Sequence, residues 1–145
     1  MAPICYAAQM SSAPIRIGRS RTGLGLFATE PIPRGRLVAE YSGPRIPTAE
    51  AEERERTHGA RYMFRLDAQW TIDGSPRSNI ARYANHACRP NAEAVSDGKR
   101  VFIHARRLIR PGEEITYDYG RDYVDLFFGK DGCRCATCEA ARAVT

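Results

Sequence analysis

The sequence predicts a mainly β fold with minor α content, and two observations lead to that prediction. Short alternating or apolar runs, such as 37–41, 62–66 and 70–73, are separated by glycine and proline turns. Only residues 48–57 have a clear helical composition, so the pattern is not that of repeated strand–helix–strand units. A chain of 145 residues fits one domain with its own core.

The N-terminal part of the chain is expected to run from a leader into strands. Residues 1–14 mix Ala, Ser, Pro and Met without periodicity and are interpreted as a flexible leader. Residues 15–17 alternate like a short strand, and residues 20–28 are interpreted as a glycine-rich turn that gives way to apolar residues. The apolar run 37–41 predicts a further strand.

The clearest helical signal lies at residues 48–57, which are rich in Ala, Glu and Arg. Thr48 is the expected N-cap, Glu50 suits the positive end of the helix dipole, and Gly59 is the expected stop. Because the stretch is polar almost all round, we expect a surface helix.

The second half of the chain predicts a short helix, a hairpin and one more strand. The helix is expected around residues 80–83. Residues 92–95 and 100–105 flank an Asp97-Gly98 turn and predict a β-hairpin. The last strand is expected at 114–117, after a proline–glycine turn.

The charge of the chain is basic and is carried almost entirely by arginine. The net charge is +5, and only Lys99 and Lys130 are lysines. A basic excess favours nucleic acid or an acidic partner, whereas the alternative reading is an ordinary solvated surface. No motif in the sequence supports binding of nucleic acid.

No apolar run is long enough for a membrane span and no secretory signal is evident, so we expect an intracellular protein or an exported effector without a recognisable signal.

Two polar stretches carry a specific resemblance. The first, residues 79–91, contains Asn85-His86-Ala87-Cys88-Arg89-Pro90-Asn91, and the second is Gly112-Glu113-Glu114-Ile115-Thr116-Tyr117-Asp118-Tyr119-Gly120. Together they resemble the two signature motifs of SET-domain lysine methyltransferases, with Ala87 where serine is usual and Ile115 where leucine is usual. The resemblance covers roughly residues 15–138.

This resemblance implies a fold, a division of the chain and an activity. The fold would be a β-clip-like set of small curved sheets with a pseudoknot. Residues 15–125 would form the SET domain, with an insert at about 44–61 that shapes the substrate groove, and residues 126–145 a zinc-binding post-SET tail. The implied activity is S-adenosylmethionine-dependent mono- or dimethylation of a lysine in a histone or another basic protein. The alternative is an inactive, zinc-stabilised module that binds a peptide or nucleic acid.

Tyrosines suit methyl transfer to lysine because their rings cover the aliphatic stem and attract a cationic ammonium. By resemblance, Tyr119 is the catalytic tyrosine and Tyr41 lines the lysine channel. Tyr117 occupies a position that holds either Phe or Tyr in the family, and a hydroxyl there leaves less room for added methyl groups. The resemblance therefore implies mono- or dimethylation.

The resemblance also implies where S-adenosylmethionine binds. The backbone of a glycine-containing turn would approach the cofactor closely, and Arg82 would face its carboxylate or brace the motif. The full set of implied cofactor-binding residues is Gly23, Leu24, Gly25, Tyr62, Arg82, Asn85, His86 and Tyr119. Phe127 or Phe128 would replace the tail aromatic that stacks on adenine in relatives.

Five cysteines are placed unevenly, at position 5, at position 88 and in a cluster near the C-terminus. Such clustering in a chain without an export signal indicates metal binding instead of disulfides. The cluster resembles the post-SET zinc motif, with a shorter second gap than is usual. The resemblance implies a tetrahedral zinc site made of Cys88, Cys133, Cys135 and Cys138.

Overall fold

Ten short strands form most of the fold in the computed structural model, which describes residues 14–128 and 132–144. The expected leader lies outside the described residues, apart from Pro14. The strands are β1 (Ile15–Ser20), β2 (Gly23–Ala28), β3 (Leu37–Tyr41), β4 (Arg45–Pro47), β5 (Met63–Arg65), β6 (Trp70–Asp73), β7 (Asn85–His86), β8 (Ala92–Ser96), β9 (Val101–Ala105) and β10 (Glu114–Tyr117). The helices are α1 (Thr48–His58), a 3₁₀ helix (Ile80–Tyr83), α2 (Arg121–Phe128) and α3 (Ala136–Val144).

The strands are arranged in three small sheets. The first has the order β1-β2-β10-β7, the second β3-β9-β8 and the third β4-β6-β5. All pairs are antiparallel except β7 with β10, which is parallel. The prediction of a mainly β fold of small sheets is confirmed.

The parallel pair brings the two polar motifs together. Asn85 lies opposite Thr116, and His86 lies opposite Tyr117. The side chain of Asn91 secures the pairing, because its Nδ2 donates to the Glu114 carbonyl at 2.8 Å and its Oδ1 accepts from the Thr116 N–H at 2.9 Å. The first and second motifs therefore form one surface of the first sheet.

One apolar core joins the three sheets. Leu26 of β2 and Ile115 of β10 are almost completely buried, together with Ile103 of β9 and Ile72 of β6. Full burial of such a side chain contributes about 1.5–3 kcal/mol relative to exposure. The core thus fixes how the sheets, and the motifs at their edges, are oriented.

Helix α1 lies on the surface as expected, but its start was predicted wrongly. Thr48 is not the N-cap: it is the first residue of the helix, and no side chain caps this end. Thr48 is buried instead, donating to the Asp67 carbonyl at 3.1 Å and contacting Thr71 Oγ1 at 2.9 Å. Gly59 ends the helix in the left-handed conformation, at φ 62°, as predicted.

The stretch interpreted as a glycine-rich turn is mostly strand. The turn covers only Arg21 and Thr22, and Gly23–Ala28 form β2, paired with both β1 and β10. The strands β4 and β7 and the helices α2 and α3 were not predicted from the sequence. The 3₁₀ helix and the hairpin of β8 and β9 are confirmed.

Within the described parts of the chain, no helix is both long and apolar enough to cross a membrane. The expected boundary between residues 125 and 126 falls inside α2 and stays a prediction.

Candidate active site

Two neighbouring cavities share one wall. The smaller has a volume of about 520 Å³ and the larger about 920 Å³. Four residues line both of them: Tyr62, Arg82, Tyr119 and Tyr123. A molecule in one cavity would therefore lie next to a molecule in the other across this wall.

The smaller cavity contains the predicted catalytic tyrosines. Tyr41, Tyr117 and Tyr119 all line it, and the ring centroids of Tyr117 and Tyr119 lie 4.8 Å apart. The Tyr41 hydroxyl donates to the Tyr62 carbonyl at 2.7 Å. Its ring packs against Gly74 so closely that a Cβ there would lie 2.4 Å from a ring carbon. The Tyr41 side chain is thus held in place by the backbone around it.

These tyrosine hydroxyls are neutral at physiological pH. Burial raises the pKa of Tyr41, Tyr117 and Tyr119 above the ordinary value of 10.0, and the proximity of the other tyrosines raises it further. They therefore offer hydrogen-bonding groups and aromatic faces, and they do not act as phenolates.

Tyr119 is anchored at both its backbone and its hydroxyl. The hydroxyl donates to the Ala84 carbonyl at 2.5 Å, and the backbone N–H donates to His86 Nδ1 at 3.0 Å. Its ring also contacts Tyr123 edge-on, with centroids 5.0 Å apart. These contacts hold the ring at the wall between the two cavities.

His86 is a buried, neutral imidazole that links both motifs to the cysteine cluster. Its side chain is 4% exposed, and burial lowers its pKa below the ordinary 6.5 although nearby Asp118 opposes the shift. Because Nδ1 accepts the Tyr119 N–H, we assign the ring proton to Nε2, which lies 3.6 Å from the Cys88 sulfur.

Tyr62 and Arg82 form a stacked pair in the shared wall. Tyr62 has φ 68°, and it is the only non-glycine residue with positive φ in the described ranges. The Arg82 guanidinium lies 4.2 Å from the Tyr62 ring centroid and 5.4 Å from that of Tyr83. Its Nε is buried and has no hydrogen-bond partner among the described residues. An anionic group entering the cavity would satisfy this donor, which fits the carboxylate of S-adenosylmethionine.

The Asn85 side chain is hydrogen-bonded to the strands beside it. Its Nδ2 lies within hydrogen-bonding distance of the Leu24 carbonyl at 2.9 Å and of Glu114 Oε2 at 2.8 Å. The Glu114 carboxylate occupies the space that a side chain at Gly25 would need, since a Cβ there would lie 2.6 Å from Glu114 Oε2. The close approach at Gly25 is therefore to Glu114.

The predicted cofactor residues differ in their access to the larger cavity. Leu24, Asn85 and His86 line it, as do Tyr62, Arg82 and Tyr119. Gly23 and Gly25 belong to β2 but are not in the cavity lining. Their contact with a cofactor stays a prediction.

Four cysteine sulfurs converge beside the larger cavity. The Sγ atoms of Cys88, Cys133, Cys135 and Cys138 all lie within 4.8 Å of one another, and none of the four forms a disulfide. Cys88 Sγ is 3.9 Å from Cys133 Sγ and 3.5 Å from Cys138 Sγ. Sulfurs bound to one tetrahedral zinc at about 2.3 Å lie about 3.8 Å apart, so the set fits zinc despite the short gap.

The surroundings of one of these thiols, that of Cys135, lower its pKa. Burial opposes ionisation of Cys135, but hydrogen bonds from the backbone of Cys88 and Cys138 and from neighbouring thiols lower its pKa to about 6. In addition, the Cys135 N–H donates to Cys133 Sγ at 3.3 Å. Backbone N–H groups that donate to sulfur stabilise the thiolates of a metal site and orient them.

The two candidate adenine-stacking residues lie in different surroundings. Phe128 lines the larger cavity, and its ring centroid lies 6.0 Å from that of His86. Phe127 packs on Tyr123 at 4.5 Å, with the Arg61 guanidinium 5.2 Å from its ring. Of the two, only Phe128 has access to the cavity.

Sequence reasoning missed Tyr123 and Glu114. Tyr123 lies in α2, beyond the second motif, and burial raises its pKa. Glu114 lies in the strand expected at 114–117, but its hydrogen bond with Asn85 was not predicted. No local pattern distinguishes either residue, since both roles arise from contacts between distant segments.

Sequence comparisons relate the chain to a known family of proteins. The family model for the SET domain matches residues 23–120. The chain is 40% identical over 134 residues to "Histone-lysine N-methyltransferase set-2" of Caenorhabditis elegans, covering 83% of this chain. It is 38% identical over 133 residues to "Histone-lysine N-methyltransferase SETD1A" of Homo sapiens, covering 85%. It is 37% identical over 126 residues to "Histone-lysine N-methyltransferase, H3 lysine-4 specific" of Mycosarcoma maydis, covering 76%. The matched regions are only 9%, 8% and 9% of those three proteins.

Proposed function

Since the chain belongs to the SET-domain family, we propose that it is an S-adenosylmethionine-dependent protein-lysine N-methyltransferase. The observation that carries this proposal is the wall shared by the two cavities, with Tyr119 in it. The larger cavity would hold the cofactor, and the smaller would hold the substrate lysine. The two reacting atoms would then approach each other from opposite sides of one aromatic wall.

Several residues would bind the cofactor in the larger cavity. Arg82 would pair its unsatisfied Nε with the carboxylate, and Leu24, Asn85, His86 and Tyr62 would surround the remainder of the molecule. Phe128 would stack on the adenine. When bound, S-adenosylmethionine supplies an electrophilic methyl group on sulfur.

The tyrosines would prepare the lysine for attack. Tyr41, Tyr117 and Tyr119 line the smaller cavity, where their rings would surround the lysine stem and exclude water from it. Burial disfavours the charged ammonium and so favours the neutral amine that can act as nucleophile. Neutral hydroxyls can orient that amine, and holding two reactants in line contributes several kcal/mol, about 7–11 kcal/mol in favourable cases.

We further propose that the four cysteines hold one structural zinc. Cys133, Cys135 and Cys138 come from the C-terminal segment and Cys88 from the first motif, so the metal would fasten this segment beside the cofactor cavity. A zinc with four protein ligands has no open position for substrate, which suits a structural role.

The proposed substrate is a histone, and the proposed products are mono- and dimethyl-lysine. The names of the relatives refer to histone lysine and, for several, to lysine 4 of histone H3. Tyr117 lines the smaller cavity, where its hydroxyl would occupy space that a third methyl group needs.

The decisive experiment combines labelled S-adenosylmethionine with recombinant histone H3, with H3 in which lysine 4 is replaced by arginine, and with the other core histones. Transfer to histone lysine by the wild type, with loss of more than about 100-fold in Tyr119→Phe, supports the proposal. A control Trp70→Phe variant should keep most activity because Trp70 lines neither cavity. Bound zinc without cofactor affinity or transfer to any histone would instead support the non-catalytic module.

A further inference from the structure

The positive charge of the chain is concentrated around the larger cavity. Seven arginines line it against two glutamates, an excess of five that equals the net charge of +5 for the whole chain. The remainder of the chain is therefore neutral overall. Four thiolates around one zinc would add about two negative charges at the cavity edge and still leave a clear positive excess.

The two glutamates are already counted in this excess, and each is held by a specific partner. Glu113 pairs with Arg107 at 2.9 Å, and Glu114 accepts from Asn85 at 2.8 Å. Hydrogen bonds with Arg107 also lower the pKa of Glu113, which keeps this carboxylate ionised beside the guanidinium.

Five of the seven arginines have no ionic partner among the residues that the structure describes. Arg61 and Arg82 stack on aromatic rings, which leaves three arginines with neither kind of contact. Arg21 lies in the turn between β1 and β2, Arg77 in the loop before the 3₁₀ helix, and Arg89 in the loop of the first motif. No carboxylate of the described chain lies within 4.0 Å of any of them. All three are exposed, so together they present guanidinium groups to solvent from three separate loops.

The proposed cofactor does not account for these three arginines. S-adenosylmethionine carries one carboxylate, an ammonium and a sulfonium, so it is a net cation. Arg82, which lines both cavities and has an unsatisfied Nε, is the proposed partner of the carboxylate. Three additional guanidinium groups would repel the cationic cofactor, so they suit an anionic partner of another kind.

We propose that Arg21, Arg77 and Arg89 form a binding surface, the arginine rim, for the phosphodiester backbone of a nucleic acid. Guanidinium groups bind phosphate in bidentate geometry. Interfaces with nucleic acid are more polar and more positive than interfaces between proteins, which are centred on apolar contacts. Leu24 is the only strongly exposed large apolar residue of the described chain in this cavity lining, which favours phosphate over an acidic protein surface.

The inference goes beyond the proposed methyltransferase activity and does not depend on it. The arginine rim would hold the chain on nucleic acid while the smaller cavity, on the other side of the shared wall, stays open to a lysine. A basic substrate protein bound to the same nucleic acid would then be presented at high local concentration.

The test measures binding without cofactor or substrate protein. A fluorescent 20-base-pair DNA duplex and a fluorescent 20-nucleotide RNA are titrated with the full chain, and anisotropy is recorded across a series of salt concentrations. The triple variant Arg21→Gln, Arg77→Gln, Arg89→Gln is compared with Arg34→Gln, Lys99→Gln, Arg110→Gln, which removes the same charge from exposed residues outside both cavities.

We expect the arginine-rim variant to raise the dissociation constant for DNA by at least about tenfold and to reduce the salt slope by about two to three units. The control variant should do neither. Binding of RNA but not DNA would assign the surface to RNA. Equal losses in the two variants, absence of binding by the wild type, or preference for polyglutamate over both nucleic acids would overturn the proposal. Thermal unfolding of both variants checks that the fold is intact.

Discussion

The backbone N–H of Tyr119 donates to Nδ1 of His86 at 3.0 Å, across the parallel pair of β7 and β10. This hydrogen bond joins the proposed catalytic residue to the first motif. On its other side, the same imidazole lies 3.6 Å from Cys88, a member of the cysteine cluster. One buried ring therefore couples the position of the proposed catalytic tyrosine to the proposed metal site.

Replacing His86 with Phe should destabilise the fold and displace Tyr119. The ring volume is retained, but the Tyr119 N–H loses its acceptor, and an unsatisfied buried donor costs about 1–3 kcal/mol. Urea unfolding of the variant should show a loss of this size. His58→Gln, at the exposed end of α1, is the matched control and should change stability by less than about 0.5 kcal/mol. Equal stability of His86→Phe and wild type would contradict the prediction.

The same histidine should make stability depend on pH. Because burial lowers the pKa of His86 below 6.5 in the folded state, the unfolded chain takes up this proton first as the pH falls. This contribution is fully present above about pH 6.5 and is lost as the pH falls toward the folded-state pKa. Unfolding free energies measured between pH 7.5 and 5 should therefore decline more steeply for the wild type than for His86→Phe. Parallel curves would refute the assignment.

Removal of zinc should loosen the C-terminal segment. We expect about one zinc per chain by elemental analysis, and little in Cys138→Ser, since a three-cysteine site lacks one ligand. A strong chelator should lower the melting temperature of the wild type but leave that of Cys138→Ser unchanged. Cys5→Ser is the control because Cys5 belongs to no proposed ligand set. Full zinc content in Cys138→Ser would be incompatible with the proposed ligands.

Replacing Tyr117 with Phe should raise the methylation state of the product. Tyr117 is 5% exposed and faces the smaller cavity, so loss of its hydroxyl would free space beside the amine. Mass spectrometry of a methylated histone peptide should show mono- and dimethyl-lysine with the wild type and trimethyl-lysine with Tyr117→Phe. Predominant trimethylation by the wild type would contradict this prediction.

Tyr123 should position Tyr119 and line the lysine channel. Its ring meets Tyr119 edge-on at 5.0 Å, and it lines both cavities. Tyr123→Phe keeps this ring contact and should retain activity within about threefold. Tyr123→Ala loses it and should raise KM for the peptide and lower kcat/KM by about 10–100-fold. Cofactor affinity, measured by calorimetry, should change much less than kcat/KM. Equal activity of the two variants would exclude this role.

Much of the fold was predictable because it depends on local signals. Strands such as β3 and β6 have apolar runs bounded by turn residues, and Gly59 has the left-handed conformation that a helix stop requires. Strand β7 was not predictable, because two polar residues form a strand only when β10 is available to pair with them. Thr48 was misassigned for a similar reason, since its hydroxyl partner, Thr71, lies in β6.

For the site, the sequence by itself determined the chemistry: two motifs, a set of tyrosines and four candidate metal ligands, with their order along the chain. Only the tertiary structure decided that Tyr119 lies in the wall between two cavities, that Tyr123 shares that wall, and that the arginine excess surrounds one cavity. The physical reason is distance along the chain. Residue types and spacing record what a segment can do, whereas cavities, unsatisfied donors and charge surfaces arise where distant segments pack together.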